Sequence, residues 1–167
     1  MYTPPTGDID PFDALRRSQL LAGFTDVGVR ILAGAVARRS AGRGTYIFRS
    51  GEPSTGLLFI ARGKVLLVAR EGGAPLGELS EGETLAGFSL LGAGDHLVSA
   101  LAVNDVELLE LSIVAFRQVS REKPQAGAKL VMALASDLAD RLRDARGPLR
   151  EFLLWQVGRR QSEGPSR

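Results

Sequence analysis

The stretch IFRSGEPSTGLLFIARGKV, residues 47–65, holds the pattern on which the fold turns. Ile47-Phe48 and the run Leu57-Leu58-Phe59-Ile60 are short apolar segments separated by Ser50-Gly51-Glu52-Pro53, and a third begins at Val65 after Arg62-Gly63-Lys64. Gly51 and Gly63 fall where tight turns favour a positive φ, a conformation that costs a residue bearing a Cβ. Strand-sized apolar runs punctuated in this way mark antiparallel strands joined by tight turns.

The same rhythm extends outward. Residues 45–48, 57–60, 65–69, 75–79, 96–103 and 106–111 read as strands, with turn residues such as Gly42, Gly44, Gly72, Gly73, Gly82 and Asn104-Asp105 between them. Several short strands at this spacing predict an antiparallel sandwich or barrel over residues 35–112. Before it, Leu15, Leu20, Leu21 and Phe24 recur at helical spacing. Thr25 then caps a second run through Val27, Val29, Ile31 and Leu32, so two short helices fill residues 11–34. After Ser112 the helical period returns, first over residues 113–119 and then in a long helix opened by Pro124. Leu130, Val131, Leu134, Leu138 and Leu142 form its apolar stripe, and Asp137, Asp140, Arg141 and Arg143 its wet side. Residues 1–10 read as a loose leader. Residues 147–167 read as a short terminal helix carrying Phe152, Leu153 and Trp155, then a polar tail. The fold class is mainly β with flanking α: an antiparallel β-barrel of jelly-roll type between two short N-terminal helices and a long C-terminal one.

Composition narrows the chemistry. The 167 residues are 44% hydrophobic and 24% charged, the range of one globular domain. There is no cysteine and a single histidine, His96, so disulfide frameworks, thiolate nucleophiles and metal sites built on several imidazoles are excluded. Asp95 and His96 are adjacent, and neighbours on an extended chain point to opposite faces, so they do not make a catalytic dyad. An enzyme is not expected, and no catalytic residue is assigned. The net charge is +2, but residues 51–112 carry nine acidic against three basic side chains while both ends are basic. The terminal arginines alternate with acids along helices, which reads as a solvated surface rather than a phosphate-binding stripe. No apolar run approaches the length of a membrane span, and the N-terminus lacks a signal pattern, so the cytoplasm is the expected location.

Two helices, a glycine-punctuated barrel and a long helix, in that order over about residues 15–146, resemble the cyclic nucleotide-binding domain, the effector fold of the catabolite activator and protein kinase regulatory families. The segment from Ile47 to Val65 looks like that family's strand, turn and hairpin signature. Gly82-Glu83-Thr84-Leu85-Ala86-Gly87-Phe88-Ser89-Leu90-Leu91, followed by a glycine-rich turn to His96, Leu97, Val98 and Ser99, resembles its phosphate-binding cassette. In that cassette a short helix aims backbone N–H groups at the cyclic phosphate. The resemblance implies ligand contacts from Leu85, Ala86, Gly87, Phe88, Ser89, Leu90, His96, Val98 and Ser99, and a cyclic nucleotide or another small anion as ligand, with no resident cofactor or metal.

Two positions depart from the family pattern. Gly87 stands where members place a glutamate that accepts from the ribose 2′-hydroxyl, and His96 stands where they place an arginine against the phosphate. Neither supplies a permanent charge, so nucleotide binding is expected to be weakened or altered. Ala86 and Asp95 replace a glycine and a proline common in the cassette. Arg49, Arg62 and Arg70 are candidates to compensate.

Two readings follow. One is a ligand sensor that repositions the long helix; the other is a fold kept for protein contacts, its pocket plugged by Phe88 or Leu97. In either, Leu130, Val131, Leu134, Leu138 and Leu142 pair with a second copy or pack on their own barrel. The expected partners are a second copy and an unidentified signalling protein. Nucleic acid is not expected, since the apolar segment after Arg146 is a single helix where a helix-turn-helix needs two. A membrane is not expected either.

Overall fold

In the computed structural model, residues 8–92, 94–144 and 150–151 are described. Eight strands follow two short helices: α1 (Pro11–Arg16) and α2 (Asp26–Ala33), with a 3-10 turn at Gln19–Leu21 between them. The strands are β1 (Ala37–Ala41), β2 (Tyr46–Phe48), β3 (Gly56–Arg62), β4 (Lys64–Val68), β5 (Pro75–Ser80), β6 (Thr84–Leu85), β7 (Ser99–Ala102) and β8 (Val106–Ser112). A single-turn helix α3 (Phe88–Leu91) lies between β6 and β7, and α4 (Ile113–Glu122) and α5 (Pro124–Asp144) end the domain.

Two four-stranded antiparallel sheets result, ordered β1-β8-β3-β6 and β2-β7-β4-β5. They face one another as a jelly roll; no ladder among the described residues closes them into a continuous barrel. β3 explains the unbroken apolar run of the sequence, because both its faces are covered. Leu57, Phe59 and Ala61 point to the helices, where Leu15, Leu21 and Leu134 meet them. Leu58 and Ile60 point between the sheets, against Phe48, Val65 and Leu108. Two cores therefore share one strand.

Glycine is required where backbone meets backbone. A Cβ on Gly56 would lie 2.4 Å from the Leu111 carbonyl oxygen, and one on Gly63, at φ 97°, would lie 2.6 Å from that of Asp105. Gly51, at φ 86°, makes the other turn expected from the sequence.

Several details differ from the sequence reading. β1 has no apolar alternation and escaped it; the strand is held by five residue pairs with β8. Residues 96–98 are not strand. Asp95 instead forms an isolated bridge with Pro53. Order begins before Pro11, since Ile9 is buried in the helix-side core and Asp10 caps α1 by accepting from the Phe12 N–H at 2.7 Å. Residues 1–7 and, apart from positions 150 and 151, the terminal segment with Phe152, Leu153 and Trp155 lie outside the described residues.

The long helix divides in two. Ala126, Gly127, Leu130 and Leu134 are buried, Val131 and Leu138 are half-buried, and Leu142 is 42% exposed. The expected stripe is therefore covered by the domain only along its first half.

Candidate functional site

β6 pairs with β3 at Leu58 and Phe59, which carries Leu85 into the inter-sheet core and sets where the chain turns next. Ala86 makes that turn at φ 57°, a left-handed conformation that crowds a Cβ. Replacing Ala86 by glycine is expected to stabilise the fold by about 1 kcal/mol, seen as a rise of about 3 °C in melting temperature. An unchanged or lower value would show that the turn carries no strain.

Gly87 follows as the N-cap of α3. A Cβ there would lie 3.2 Å from Leu134 Cδ2, so the missing side chain is what lets α5 come this close to the cassette. α3 is one turn long, and its Ser89 N–H already donates to the Ala86 carbonyl at 3.0 Å. Ser89 is buried with its hydroxyl against that of Ser54, and Leu90 packs on the helix-side core. Phe88 is 47% exposed and does not plug the pocket.

Phe48, part of the inter-sheet core, carries the half-buried His96 against it instead. Their rings stack with centroids 3.7 Å apart and planes 7° from parallel. The backbone of His96 is tied on both sides: its N–H donates to the Glu52 carbonyl at 2.8 Å, and its carbonyl accepts from the Gly51 N–H at 2.9 Å. Val98 packs on the inter-sheet core from the edge. Ser99 is fully buried and its hydroxyl accepts from the Ser50 N–H at 2.9 Å, which commits it to the turn.

A polar cluster that the sequence did not reveal stands beside this stack. Arg39 pairs across the ladder with Leu108, a residue of the inter-sheet core, and cross-strand partners share a face. Glu110, two residues from Leu108, points the same way. Arg39 donates to Glu110 at 3.2 Å and to the Ile47 carbonyl at 3.3 Å, and the Thr55 hydroxyl donates to Glu110 at 2.7 Å. Glu110 is only 15% exposed and Arg39 37%. Two of the arginines named from the sequence lie elsewhere. Arg49 lies over the Tyr46 ring and reaches Glu71, and Arg62 reaches Glu107.

Burial holds the His96 pKa below its ordinary value, and Arg39 adds to that, against the opposing pull of Glu52, Asp95 and Glu110. The imidazole is therefore neutral at pH 7, and the gain in cation character that the free side chain shows near pH 6.5 is displaced to lower pH. The unfolded chain takes up this proton more readily than the folded one. Stability is thus full above about pH 6.5 and falls as pH drops below it. Between pH 7.5 and 5.5 the melting temperature is expected to fall further for the unmodified chain than for His96→Phe; equal slopes would contradict the assignment. Among the described residues no group of three or more acidic or histidine side chains is placed to hold a metal ion.

Comparison with known proteins places the arrangement. The cyclic nucleotide-binding domain model matches residues 38–123, more than half of the chain. The cyclic AMP receptor protein of Thermus thermophilus is 33% identical over 134 residues, covering 78% of this chain; the chain spans 60% of that relative's length. The crystal structure of the Thermus thermophilus catabolite activator protein superposes with a TM-score of 0.68 at 34% identity, over 82% of this chain and 63% of that one. A cyclic nucleotide-binding domain from Methylobacillus flagellatus gives 0.70 at 22% identity, over 81% and 78%, a likeness of fold alone. With its matched segment running from β1 through α4, and with β6, α3 and Ser99 in cassette order, this chain belongs to the cyclic nucleotide-binding domain family.

Proposed function

We propose that this domain is a non-enzymatic regulatory module in which occupancy of the cassette is read out by α5, and that its grip on cyclic nucleotides is weakened. The observation that carries the reading is the position of His96, neutral and stacked on Phe48 at the place where the family resemblance implies an arginine. Gly87 removes the second polar contact and seats Leu134 in its place. Loss of a buried charge partner costs about 2 to 5 kcal/mol and loss of a hydrogen-bond partner about 1 to 3, which together weaken binding by several powers of ten. The readout is a population shift: a ligand stabilises whichever arrangement of α3 and α5 it contacts better. The name of the Thermus relative supports cyclic AMP as the ligand to try first.

A thermal-shift screen of cyclic nucleotides, cyclic dinucleotides and small anions tests this, because a ligand of the folded state raises the melting temperature. A small, concentration-dependent shift with a cyclic nucleotide is expected. No shift from any of them would remove the sensor reading.

A second reading is supported by α5 itself. Leu142 is exposed and Leu138 is only half-buried, so the distal stripe is available to a second copy. Light scattering after size-exclusion chromatography is expected to give a dimer, and a monomer at high concentration would contradict it. We read the domain as acting through protein contacts rather than nucleic acid. Eight of the fourteen arginines among the described residues, including Arg16, Arg17, Arg38, Arg62 and Arg143, are paired with carboxylates. No helix among the described residues is long and apolar enough to cross a membrane, in keeping with a cytoplasmic setting.

A further inference from the structure

We propose that the face of Phe48 is a slot for a flat nitrogen heteroaromatic ring, neutral or cationic, and that the chain fills this slot with its own His96 until such a ring displaces it. The inference deepens the sensor reading and rests on it: it assigns the primary contact of the ligand to a ring rather than to a phosphate. Three observations carry it.

The first is the geometry of the stack. Two neutral rings prefer offset or edge-to-face contact with centroids 4.5 to 7 Å apart. A nearly parallel overlay at 3.7 Å gains little from the rings themselves, so the imidazole is a weakly held occupant of a surface shaped for a planar group. The second is what is fixed and what is free. The Gly51 and Glu52 hydrogen bonds and the Pro53–Asp95 bridge hold the backbone of position 96, while no hydrogen bond is made by the imidazole nitrogens among the described residues. The side chain can therefore leave by rotation alone, without breaking the ladder. Phe48, by contrast, is buried and packed in the inter-sheet core, so the platform stays when the occupant goes.

The third is charge. Glu52, Asp95 and Glu110 act on the imidazole as negative charges and Arg39 as a positive one; Arg39 is itself engaged by Glu110, and Glu52 is paired with Arg49 at 3.9 Å. A phosphate entering this space meets more negative than positive charge. A ring bearing N–H groups meets acceptors.

Benzimidazole, phenyl phosphate and cyclic AMP are the probes, titrated separately and followed by NMR. In His96→Ala the slot is empty, and benzimidazole is expected to bind at least about tenfold more tightly than to the unmodified chain and about tenfold more tightly than phenyl phosphate. Adding Phe48→Leu should abolish that gain. The unmodified chain supplies an arm that depends on no variant: benzimidazole should shift the Phe48 and His96 ring resonances before those of Phe24 or Tyr46. A folded His96→Ala that binds benzimidazole no better than the unmodified chain overturns the proposal. So does equal binding of phenyl phosphate, or, should the variant not fold, the absence of any selective shift at Phe48 in the unmodified chain. Cyclic AMP separates the two readings. Benzimidazole binding with no response to cyclic AMP keeps the slot and removes the nucleotide sensor, and the reverse keeps the sensor and removes the slot.

Discussion

Replacing His96 by arginine is expected to raise the affinity for cyclic AMP by about 30- to 1,000-fold, the lower part of the range that a buried charge pair commands. The guanidinium is charged at every working pH and offers two parallel N–H groups to a phosphate, where the imidazole is neutral and offers one. The gain stays below the upper limit for two reasons. An arginine that turns to the phosphate gives up stacking on Phe48, and Glu52 and Glu110 stand near enough to compete with the ligand for it. Titration calorimetry of the two proteins at pH 7.5 measures the ratio. An unchanged affinity would mean that the phosphate is not held from position 96.

Leu134→Ala is expected to have the largest effect on stability, a loss of about 2 to 5 kcal/mol in urea unfolding. Leu134 is 1% exposed, belongs to the helix-side core and rests against Gly87, so its removal opens a cavity between α5 and the start of the cassette. Leu142→Ala, at the uncovered end of the same stripe, should change the stability of a monomer by less than about 0.5 kcal/mol. The contrast separates packing on the domain from packing on a second copy. If both substitutions cost the same at low protein concentration, the division of α5 described above is wrong. Leu134→Ala should also disconnect the cassette from the helix, so that a ligand which still binds no longer changes the environment of α5.

The strands with alternating or unbroken apolar runs were legible because burial on one face or both writes itself into sequence. β3 is the clearest instance, with every residue from Gly56 to Ala61 buried. β1 was not legible. Its residues, Ala37-Arg38-Arg39-Ser40-Ala41, carry no apolar period, and only the ladder with β8 makes them a strand. That is also why Arg39 was missed. The direction of a side chain in an edge strand of mixed composition depends on register, and register is a property of the partner. Glu110 could be placed on a strand but not on the inner face, because the run from Leu108 to Leu111 is apolar on both sides of it.

The cassette was legible as a motif, but the plug expected at Phe88 is not there. Phe88 is apolar and lies in the expected helix, yet it faces solvent, since a single turn of helix buries only one side and here that side carries Ser89 and Leu90. Phe48 was read only as a strand residue. What recruits it is the bridge between Asp95 and Pro53, which brings position 96 over β2 and leaves no local pattern in either segment. The division of the long stripe was equally hidden: its leucines recur evenly, and where the domain stops covering them depends on how far the 3-10 turn, α3 and α4 extend beneath.

The proposed function depends on the cassette holding a sugar phosphate without a permanent cation. Calorimetric titration of the unmodified chain with cyclic AMP at pH 7.5 and again at pH 5.5 tests it most directly. The account predicts a dissociation constant of about 100 μM or weaker at the higher pH, with tighter binding at the lower one as His96 gains its proton. A dissociation constant of about 1 μM or tighter, equal at both values, would contradict it.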